Sequence, residues 1–151
     1  MELRFVTAEN QDYLMLAEKL NEYYFTLVGD IQLRYAEENR PDNFECLVVA
    51  YENKTPVGCG CWKVVDPVTA EIKRIYVLLK HRRKGVATML VRSLEEDIIA
   101  KGYSRIVLET ARTTPASKML YLSLGYRQID YYGSPAGADN CLCFEKVFKR
   151  L

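Results

Sequence analysis

The sequence predicts one mixed α/β domain in which two neighbouring strands near the centre of the sheet run parallel. The chain has 151 residues, about the length of a single domain. Apolar residues switch along it between the period of two typical of strands and the spacing typical of helices. A strand–helix–strand unit in the middle of the chain requires parallel neighbours. We find no repeat, low-complexity block or linker, so residues 1–151 are expected to form a single domain.

The predicted order of elements is βα(α)βββαβαββ. The predicted strands are Leu3–Thr7, Glu45–Tyr51, Pro56–Asp66, Thr69–Leu79, Arg105–Glu109, Tyr126–Tyr131 and Cys141–Phe148. The predicted helices are Asp12–Val28, which ends before Gly29, a short one at Ile31–Glu38, one from Val86 to Ile98 ending near Gly102, and one from Pro115 ending at Gly125, with Thr114 as its N-cap. Alternation on the strand from Thr69 predicts four side chains on one face: Glu71, Lys73, Ile75 and Val77.

Composition excludes several classes of function. Lysine plus arginine is 21 and aspartate plus glutamate is 20, so the formal net charge is +1. That balance argues against a nucleic-acid partner. No stretch approaches the roughly 20 apolar residues of a membrane span, so no membrane partner is expected. Five cysteines in a chain of this length are typical of a reducing environment, and we expect a cytoplasmic location.

The cysteines also raise the question of a metal. Cys59 with Cys61 and Cys141 with Cys143 form two Cys-x-Cys pairs on predicted strands. Residues two apart on a strand stand roughly 6.5 Å apart. Zinc needs sulfurs about 2.3 Å from the metal, usually from Cys-x₂₋₄-Cys turns. We therefore predict no metal site and interpret these cysteines as small buried apolar residues.

The segment Arg82-Arg83-Lys84-Gly85-Val86-Ala87 stands between a strand and a helix. A glycine at a helix start allows a ligand to approach the backbone closely. The first helical turn has unpaired N–H groups and the positive end of the dipole, which suits a phosphate, and the three basic side chains add charge. Taken alone, the pattern is also compatible with a basic loop that merely caps a helix.

Two further segments remove that ambiguity. Lys73-Arg74-Ile75-Tyr76-Val77 precedes the loop, and Leu120-Tyr121-Leu122-Ser123-Leu124-Gly125-Tyr126 follows the helix and next strand. Together with the loop, which fits Arg/Gln-x-x-Gly-x-Gly/Ala, they resemble the GNAT superfamily of acetyl-CoA-dependent N-acetyltransferases. The resemblance covers essentially the whole chain and is strongest from Glu71 to Tyr126. It implies a mixed, mostly antiparallel central sheet with a splayed parallel pair, flanked by helices.

The resemblance also implies where acetyl-CoA, the co-substrate, binds. The pantetheine arm would pair with the splayed strand at Ile75, Tyr76 and Val77. The diphosphate would lie on the loop and first helical turn, at Arg82, Arg83, Lys84, Gly85, Val86, Ala87 and Thr88. This chain departs from many relatives in lacking a proline before the loop, in having Ala87 for a second glycine, and in having Thr110-Ala111-Arg112 where an asparagine is common.

Catalytic roles follow from the same resemblance. Tyr121 occupies the usual general-acid position, from which it would donate a proton to the departing thiolate, whose ordinary pKa is about 8.5 against about 10 for tyrosine. Glu71, at the start of the splayed strand, is the first candidate for the base. Glu109, at the carboxyl end of the next strand, is the second. Many members have no single essential base, so the choice stays open.

The acceptor site is the part least evident in the sequence. The family builds it from the first helices and the C-terminal strands, which here carry aromatic candidates: Tyr23, Tyr24, Phe25, Trp62, Tyr131 and Tyr132. We expect a primary amine of a small molecule to attack the thioester directly. Two alternatives remain, a non-catalytic acyl-CoA-binding or regulatory module, and a protein or peptide N-acetyltransferase. Dimers are common among relatives, which leaves a homodimer open.

Overall fold

Seven strands and three helices lie in the described part of the chain, residues 1–29, 36–133 and 138–149 of a computed structural model. The strands are β1 (Glu2–Val6), β2 (Cys46–Glu52), β3 (Thr55–Asp66), β4 (Thr69–Val77), β5 (Arg105–Ala111), β6 (Arg127–Ile129) and β7 (Cys141–Val147). The helices are α1 (Gln11–Val28), α2 (Val86–Ala100) and α3 (Pro115–Ser123), and two 3₁₀ turns span Pro41–Asn43 and Leu79–His81.

The strands form one sheet in the order β1-β2-β3-β4-β5-β7-β6. Every neighbouring pair is antiparallel except β4 and β5. The apolar face of α2 packs on one side of the sheet around Leu90, Leu94 and Ile98, and α1 packs on the other side through Tyr13 and Leu16. The predicted fold class, including its one parallel pair, is therefore confirmed.

The parallel pair separates part of the way along its length. β4 pairs with β5 only from Thr69 to Ile72, opposite Arg105 to Leu108. Beyond that point β4 continues beside β3 as far as Val77, while β5 continues beside β7 as far as Ala111. A gap thus opens in the middle of the sheet between the carboxyl ends of two parallel strands, where ligands of α/β sheets usually bind.

An extra residue in β4 changes which side chains face which layer. Between two paired positions β3 advances two residues, from Cys59 to Cys61, while β4 advances three, from Lys73 to Tyr76. Arg74 lies in this bulge with a φ of 63°, in the left-handed region.

Because of this bulge, the prediction that Glu71, Lys73, Ile75 and Val77 lie on one face of β4 is wrong. Glu71 and Lys73 lie on the α1 side, opposite Lys63 and Cys61. Ile75 and Val77, in contrast, pack into the α2-side core. A bulge leaves one residue unpaired and shifts the alternation of the strand beyond it, which sequence alternation cannot register.

Most predicted elements are confirmed to within two or three residues. The Asn10 side chain caps α1 by accepting from the Tyr13 N–H at 2.9 Å, and Gly29 follows the helix with a φ of 62°. Thr114 stands at the N-cap of α3, but its hydroxyl bonds the Ala111 carbonyl instead of the helix.

One predicted element lies mostly outside the described ranges, and another is shorter than predicted. The expected helix at Ile31–Glu38 falls mainly on residues 30–35, outside the described ranges, and residues 36–39 form turns. The strand predicted from Tyr126 to Tyr131 is limited to Arg127–Ile129. None of the described helices has the length and apolarity that a membrane span requires.

Candidate functional site

The N-terminus of α2 presents unpaired backbone donors. Gly85 precedes the helix with a φ of 80°, and no side chain caps it. The first helical hydrogen bond runs from the Met89 N–H to the Gly85 carbonyl, so the N–H groups of Val86, Ala87 and Thr88 lack helical acceptors. A Cβ built on Gly85 would meet nothing within 4 Å. The glycine is therefore required for its backbone conformation, and the space beside it is open to a ligand.

Arg82 is held against the protein. Its Nε donates to the Val77 carbonyl at 2.9 Å, and its guanidinium lies 5.4 Å from the ring centre of Tyr23 and 5.8 Å from that of Tyr76. Because these contacts join the loop to β4 and α1, Arg82 orients the loop as well as adding positive charge.

A second anchor holds the loop to the β2–β3 hairpin. Glu52 bonds the His81 Nδ1 at 2.8 Å and the Lys84 Nζ at 3.4 Å, and its pKa is lowered mainly by the bond to His81. Arg83 has a φ of 63°, and both Arg83 and Lys84 are exposed. The loop thus combines a fixed backbone with two cationic side chains in contact with solvent.

The residues expected to bind the pantetheine arm border the gap in the sheet. Ile75, Tyr76 and Val77 form the last part of β4, where β5 no longer pairs with it. Ile75 and Tyr76 are partly exposed, and Val77 is buried. This edge of β4 can accept an added extended chain in the manner of another strand.

Tyr121 lies on α3 at the same gap. Its ring is 6% exposed and packs against Tyr126 and Phe144, with ring centres 5.7 and 6.2 Å away. Burial raises the pKa of the Tyr121 hydroxyl, and the nearby Tyr24 of α1 raises it further. The hydroxyl therefore stays protonated at neutral pH. Tyr121 belongs to the core on the α2 side and Tyr24 to the opposite helix, so the two approach each other where β4 and β5 have separated.

Two carboxylates lie close together on the α1 side. Glu71 is 6% exposed; its Oε2 accepts from the Tyr132 hydroxyl at 2.5 Å, and its Oε1 is 3.8 Å from the Lys63 Nζ. Burial raises the pKa of Glu109. The hydrogen bond with the Cys141 thiol lowers this pKa, and the negative charge of Glu71 raises it. Sequence analysis offered Glu71 and Glu109 as alternatives, and the structure brings both to one cluster.

The aromatic candidates separate into two groups. Tyr132 bonds Glu71, and the Tyr24 phenol lies near Arg74, Cys141 and Glu109, since all three influence its pKa. Trp62, another of the candidates, does not lie on the α1 side. It is fully buried on the α2 side, and its indole N–H donates to Asp97 at 2.8 Å.

The Tyr131 hydroxyl and the carboxylate of Glu109 converge on Gly133. A Cβ on Gly133 would come within 2.5 Å of that hydroxyl and 2.9 Å of the Glu109 Oε2. The loop expected after Tyr132 continues into residues 134–137, outside the described ranges.

The cysteines are free thiols. Cys59 and Cys61 are buried on the α1 side, where their sulfurs lie 3.5 and 3.2 Å from the carbonyls of Arg74 and Lys73. Burial raises the pKa of Cys59 to about 12. Burial also raises the pKa of Cys141 to about 12, and Glu109 contributes to this rise through its hydrogen bond and its charge. Such thiols are almost entirely protonated at neutral pH and are therefore weak nucleophiles.

Sequence analysis missed Arg74. It is 9% exposed, and its Nη2 donates to the Ala17 carbonyl at 3.0 Å and to the Asn21 Oδ1 at 2.5 Å. The one signal in the sequence is the pair Lys73-Arg74, two consecutive cations within a predicted strand. Alternation alone would have sent Arg74 to the α2 side.

Comparisons with known proteins agree with this geometry. Residues 13–126 match the family described as "Acetyltransferase (GNAT) family". The N-acetyltransferase YsnE of Bacillus subtilis (strain 168), described as uncharacterized, is 38% identical over 100 residues, 64% of this chain and 66% of its own length. Human N-acetyltransferase 8 is 31% identical over 108 residues, 68% of this chain and 46% of its own length. The matched part of this chain thus spans 46% to 66% of the length of these relatives.

Solved structures share the fold at low sequence identity. An acetyltransferase from Streptococcus agalactiae has a TM-score of 0.76 at 21% identity, over 97% of this chain and 98% of its own. The PaiA N-acetyltransferase of Thermoplasma acidophilum, solved in complex with coenzyme A, has a TM-score of 0.70 at 16% identity, over 98% of this chain and 100% of its own. With the family match covering most of its length, this chain belongs to the acetyltransferase (GNAT) family.

Proposed function

We propose that this protein transfers an acetyl group from acetyl-CoA to a primary amine of a small molecule, by direct attack in a ternary complex. The observation that carries the proposal is the gap between β4 and β5, which has the uncapped N-terminus of α2 at one side and Tyr121 and two carboxylates nearby. An anion-binding helix end and a set of proton donors and acceptors thus border the same gap.

Residues present in the chain suit acetyl-CoA. The N–H groups of the first turn of α2 and the exposed Arg83 and Lys84 would bind the diphosphate, and the unpaired edge of β4 from Ile75 to Val77 would bind the pantetheine amides. Acetyl-CoA supplies the acetyl group in activated form, as a thioester. A coenzyme A complex of a structural neighbour, the Thermoplasma enzyme, supports this choice of co-substrate.

Tyr121 is proposed as the proton donor. As the amine nitrogen bonds to the acetyl carbon and the carbon–sulfur bond breaks, the leaving sulfur gains the electron pair. A protonated hydroxyl beside it donates a hydrogen bond and then the proton. The raised pKa of Tyr121 keeps that proton in place until negative charge develops on sulfur. General acid catalysis of this kind contributes about 10² to 10⁴ in rate.

The Glu71–Glu109 pair is proposed to handle the proton of the attacking ammonium. Glu109 has a raised pKa because it is buried and because Glu71 is near, so it is a stronger base than an exposed carboxylate. Glu71 is already bonded to Tyr132, which orients it. Since the buried thiols stay protonated, we favour direct attack over an acyl-enzyme.

Tyr121→Phe tests the acid. The variant should lower kcat about 100-fold while leaving the Kd of acetyl-CoA unchanged, since the ring contacts with Tyr126 and Phe144 remain. Thiol release under saturating amine measures kcat, and calorimetry measures Kd.

Tyr126→Phe is the matched control. It removes the hydroxyl of a neighbouring buried tyrosine that bonds Glu95 at 2.8 Å, away from the gap. It should lose stability but keep its turnover. Equal turnover in Tyr121→Phe and wild type would remove Tyr121 from the mechanism.

The first experiment is calorimetric titration with acetyl-CoA, with ATP and NAD as controls. Selective binding of acetyl-CoA followed by thiol release in an amine screen would support the enzyme. Selective binding without transfer to any amine or peptide would favour the non-catalytic acyl-CoA-binding module, and transfer to peptides alone would favour a protein acetyltransferase. Absence of acetyl-CoA binding would contradict the proposal.

A further inference from the structure

A pocket of about 570 Å³ lies between α1 and residues 36–41, on the same side of the sheet as Glu71 and Glu109. Arg74 reaches it from β4, and Asn21 and Phe25 line it from α1. Among the described residues, two buried side-chain atoms lack a hydrogen-bond partner, the Arg74 Nε and the Asn39 Oδ1. Both belong to residues that line this pocket.

Within the described ranges, Arg74 is a buried cation without a counter-ion. It is 9% exposed, and no described carboxylate lies within 4.0 Å of its guanidinium. Its two hydrogen bonds go to neutral acceptors, the Ala17 carbonyl and the Asn21 side chain. A buried charge normally persists only when it is paired, because the loss of its hydration is unfavourable. Among the described residues, no anion accepts a hydrogen bond from the Arg74 Nε–H. Such an anion would offset the cost of burying the charge.

The backbone at Arg74 adds to the cost of its position. Its φ of 63° lies in the left-handed region, which is unfavourable for a residue with a Cβ. The bulge turns this side chain toward α1 and away from the α2-side core. Backbone strain of this kind is concentrated at functional sites, where it directs a side chain to a ligand.

Opposite charges lie along the same face. β4 carries Glu71 three residues before Arg74, an extended span of roughly 10 Å. The charge of Arg74 lowers the pKa of the Tyr24 phenol and the charge of Glu109 raises it, so the phenol lies near both groups. Carboxylates and an unpaired guanidinium are thus within reach of one small molecule. A ligand with an ammonium and a carboxylate matches this distribution, whereas a purely cationic amine leaves Arg74 uncompensated.

We propose that Arg74 binds a carboxylate of the amine acceptor, so that the preferred acceptors are amino acids or similar amines that carry a carboxylate. This inference rests on the acetyltransferase function proposed above. The acceptor amine would lie toward Glu71 and Glu109, and its carboxylate would accept hydrogen bonds from the Arg74 guanidinium, including the free Nε–H. Arg74 is in this sense a specificity-determining residue.

Matched pairs of amines that differ only by a carboxylate provide the test: tyrosine and tyramine, phenylalanine and phenethylamine, histidine and histamine, ornithine and putrescine. We expect wild-type kcat/KM to be about 10- to 100-fold higher for at least one amino acid than for its decarboxylated partner, the range expected for hydrogen bonds to a charged group. Arg74→Gln should remove that preference, mainly by raising KM for the amino acid, so that the two members of a pair react with similar kcat/KM.

The decarboxylated amine also controls for misfolding. If Arg74 only ties β4 to α1, Arg74→Gln lowers both members of each pair equally, and that result would overturn the inference. Arg74→Lys should retain part of the preference, since it keeps the charge but loses the planar donors. Arg4→Gln is the matched arginine control. It removes two hydrogen bonds to Glu2 on the edge strand β1 and should leave the preference unchanged.

A binding measurement separates this inference from the proposed function. Each pair is titrated calorimetrically in the presence of coenzyme A, without turnover. Tighter binding of the amino acid in wild type, abolished in Arg74→Gln, supports the carboxylate site even if no amine is acetylated. Equal binding of both members, or of wild type and variant, contradicts it even if acetyl transfer to other amines is observed.

Discussion

At the scale of single residues, Gly85 and Gly102 are an informative pair. They lie at opposite ends of α2 with φ values of 80° and 93°, and a Cβ on either would meet nothing within 4 Å. Replacing either should therefore cost a similar amount of stability, because only the backbone conformation is at issue. Only Gly85 lies at the N-terminus, where the proposed diphosphate would bind.

Gly85→Ala and Gly102→Ala should each lower the free energy of unfolding by about 1 kcal/mol, the cost of a Cβ in the left-handed region. Gly85→Ala should also weaken acetyl-CoA binding, since relief of the strain reorients the first-turn N–H groups; we expect an increase in Kd of about 10-fold, or roughly 1.4 kcal/mol. Calorimetry with both variants checks this. Equal Kd values in the two variants would contradict the phosphate-loop assignment.

At the scale of elements, one acidic side chain of β7 bonds both of the neighbouring strands. Glu145 is 5% exposed and bonds the Arg105 Nε of β5 at 2.8 Å and the guanidinium of Arg127 on β6. The bond from Arg105 makes the largest contribution to the lowered pKa of Glu145. These contacts fix the end of the sheet against which α3 carries Tyr121.

Because the pKa of Glu145 is lower in the folded state, its stabilising contribution is present above the unfolded pKa of about 4.5 and is lost as the pH falls through the folded value. Glu145→Gln should therefore lower the free energy of unfolding by about 1 kcal/mol at pH 7. The difference from wild type should diminish below pH 4.5. Denaturant titrations from pH 3 to 8 measure both.

Glu96→Gln supplies the comparison for this pH series, since Glu96 is exposed on α2. Its unfolding free energy should follow that of wild type at every pH. A Glu145→Gln variant whose deficit is the same at pH 3 and pH 7 would mean that packing, and not charge, accounts for the effect.

At the scale of the whole molecule, the sheet separates the two parts of the proposed site. The proposed phosphate loop leads into α2 on one side, and the Arg74 pocket lies beside α1 on the other. The gap between β4 and β5 opens the sheet between these two layers. A ligand bound along that gap contacts both layers and should stabilise the whole domain.

Acetyl-CoA at 100 times its Kd should stabilise the folded state by about 2.7 kcal/mol, through mass action. For a domain of this length, that corresponds to an increase in Tm of roughly 5–10 °C. Thermal unfolding with acetyl-CoA, coenzyme A and ATP at equal concentration checks it. An equal shift with ATP would indicate non-specific binding of phosphates, contrary to the proposal.

The sequence alone determined the elements, because hydrophobic period, turn residues and helix ends are local properties. It also determined the family, since each of the two characteristic segments is a continuous stretch of the chain. These segments are the loop Arg82–Ala87 and the segment Leu120–Tyr126. The fold class could therefore be predicted from local patterns, whereas the binding of a diphosphate by the loop stays a prediction. The catalytic roles of Tyr121 and Glu71 were predicted with them and remain predictions.

Only the tertiary structure decided what lies on the α1 side. The bulge at Arg74 depends on one extra residue relative to β3, the preceding strand, so the alternation of β4 alone could not register it. The approach of Glu71 to Glu109 requires two parallel strands that meet and then separate, and the exclusion of Trp62 requires knowing which face of the sheet α2 covers. These properties arise from contacts distant in sequence, which no local pattern encodes.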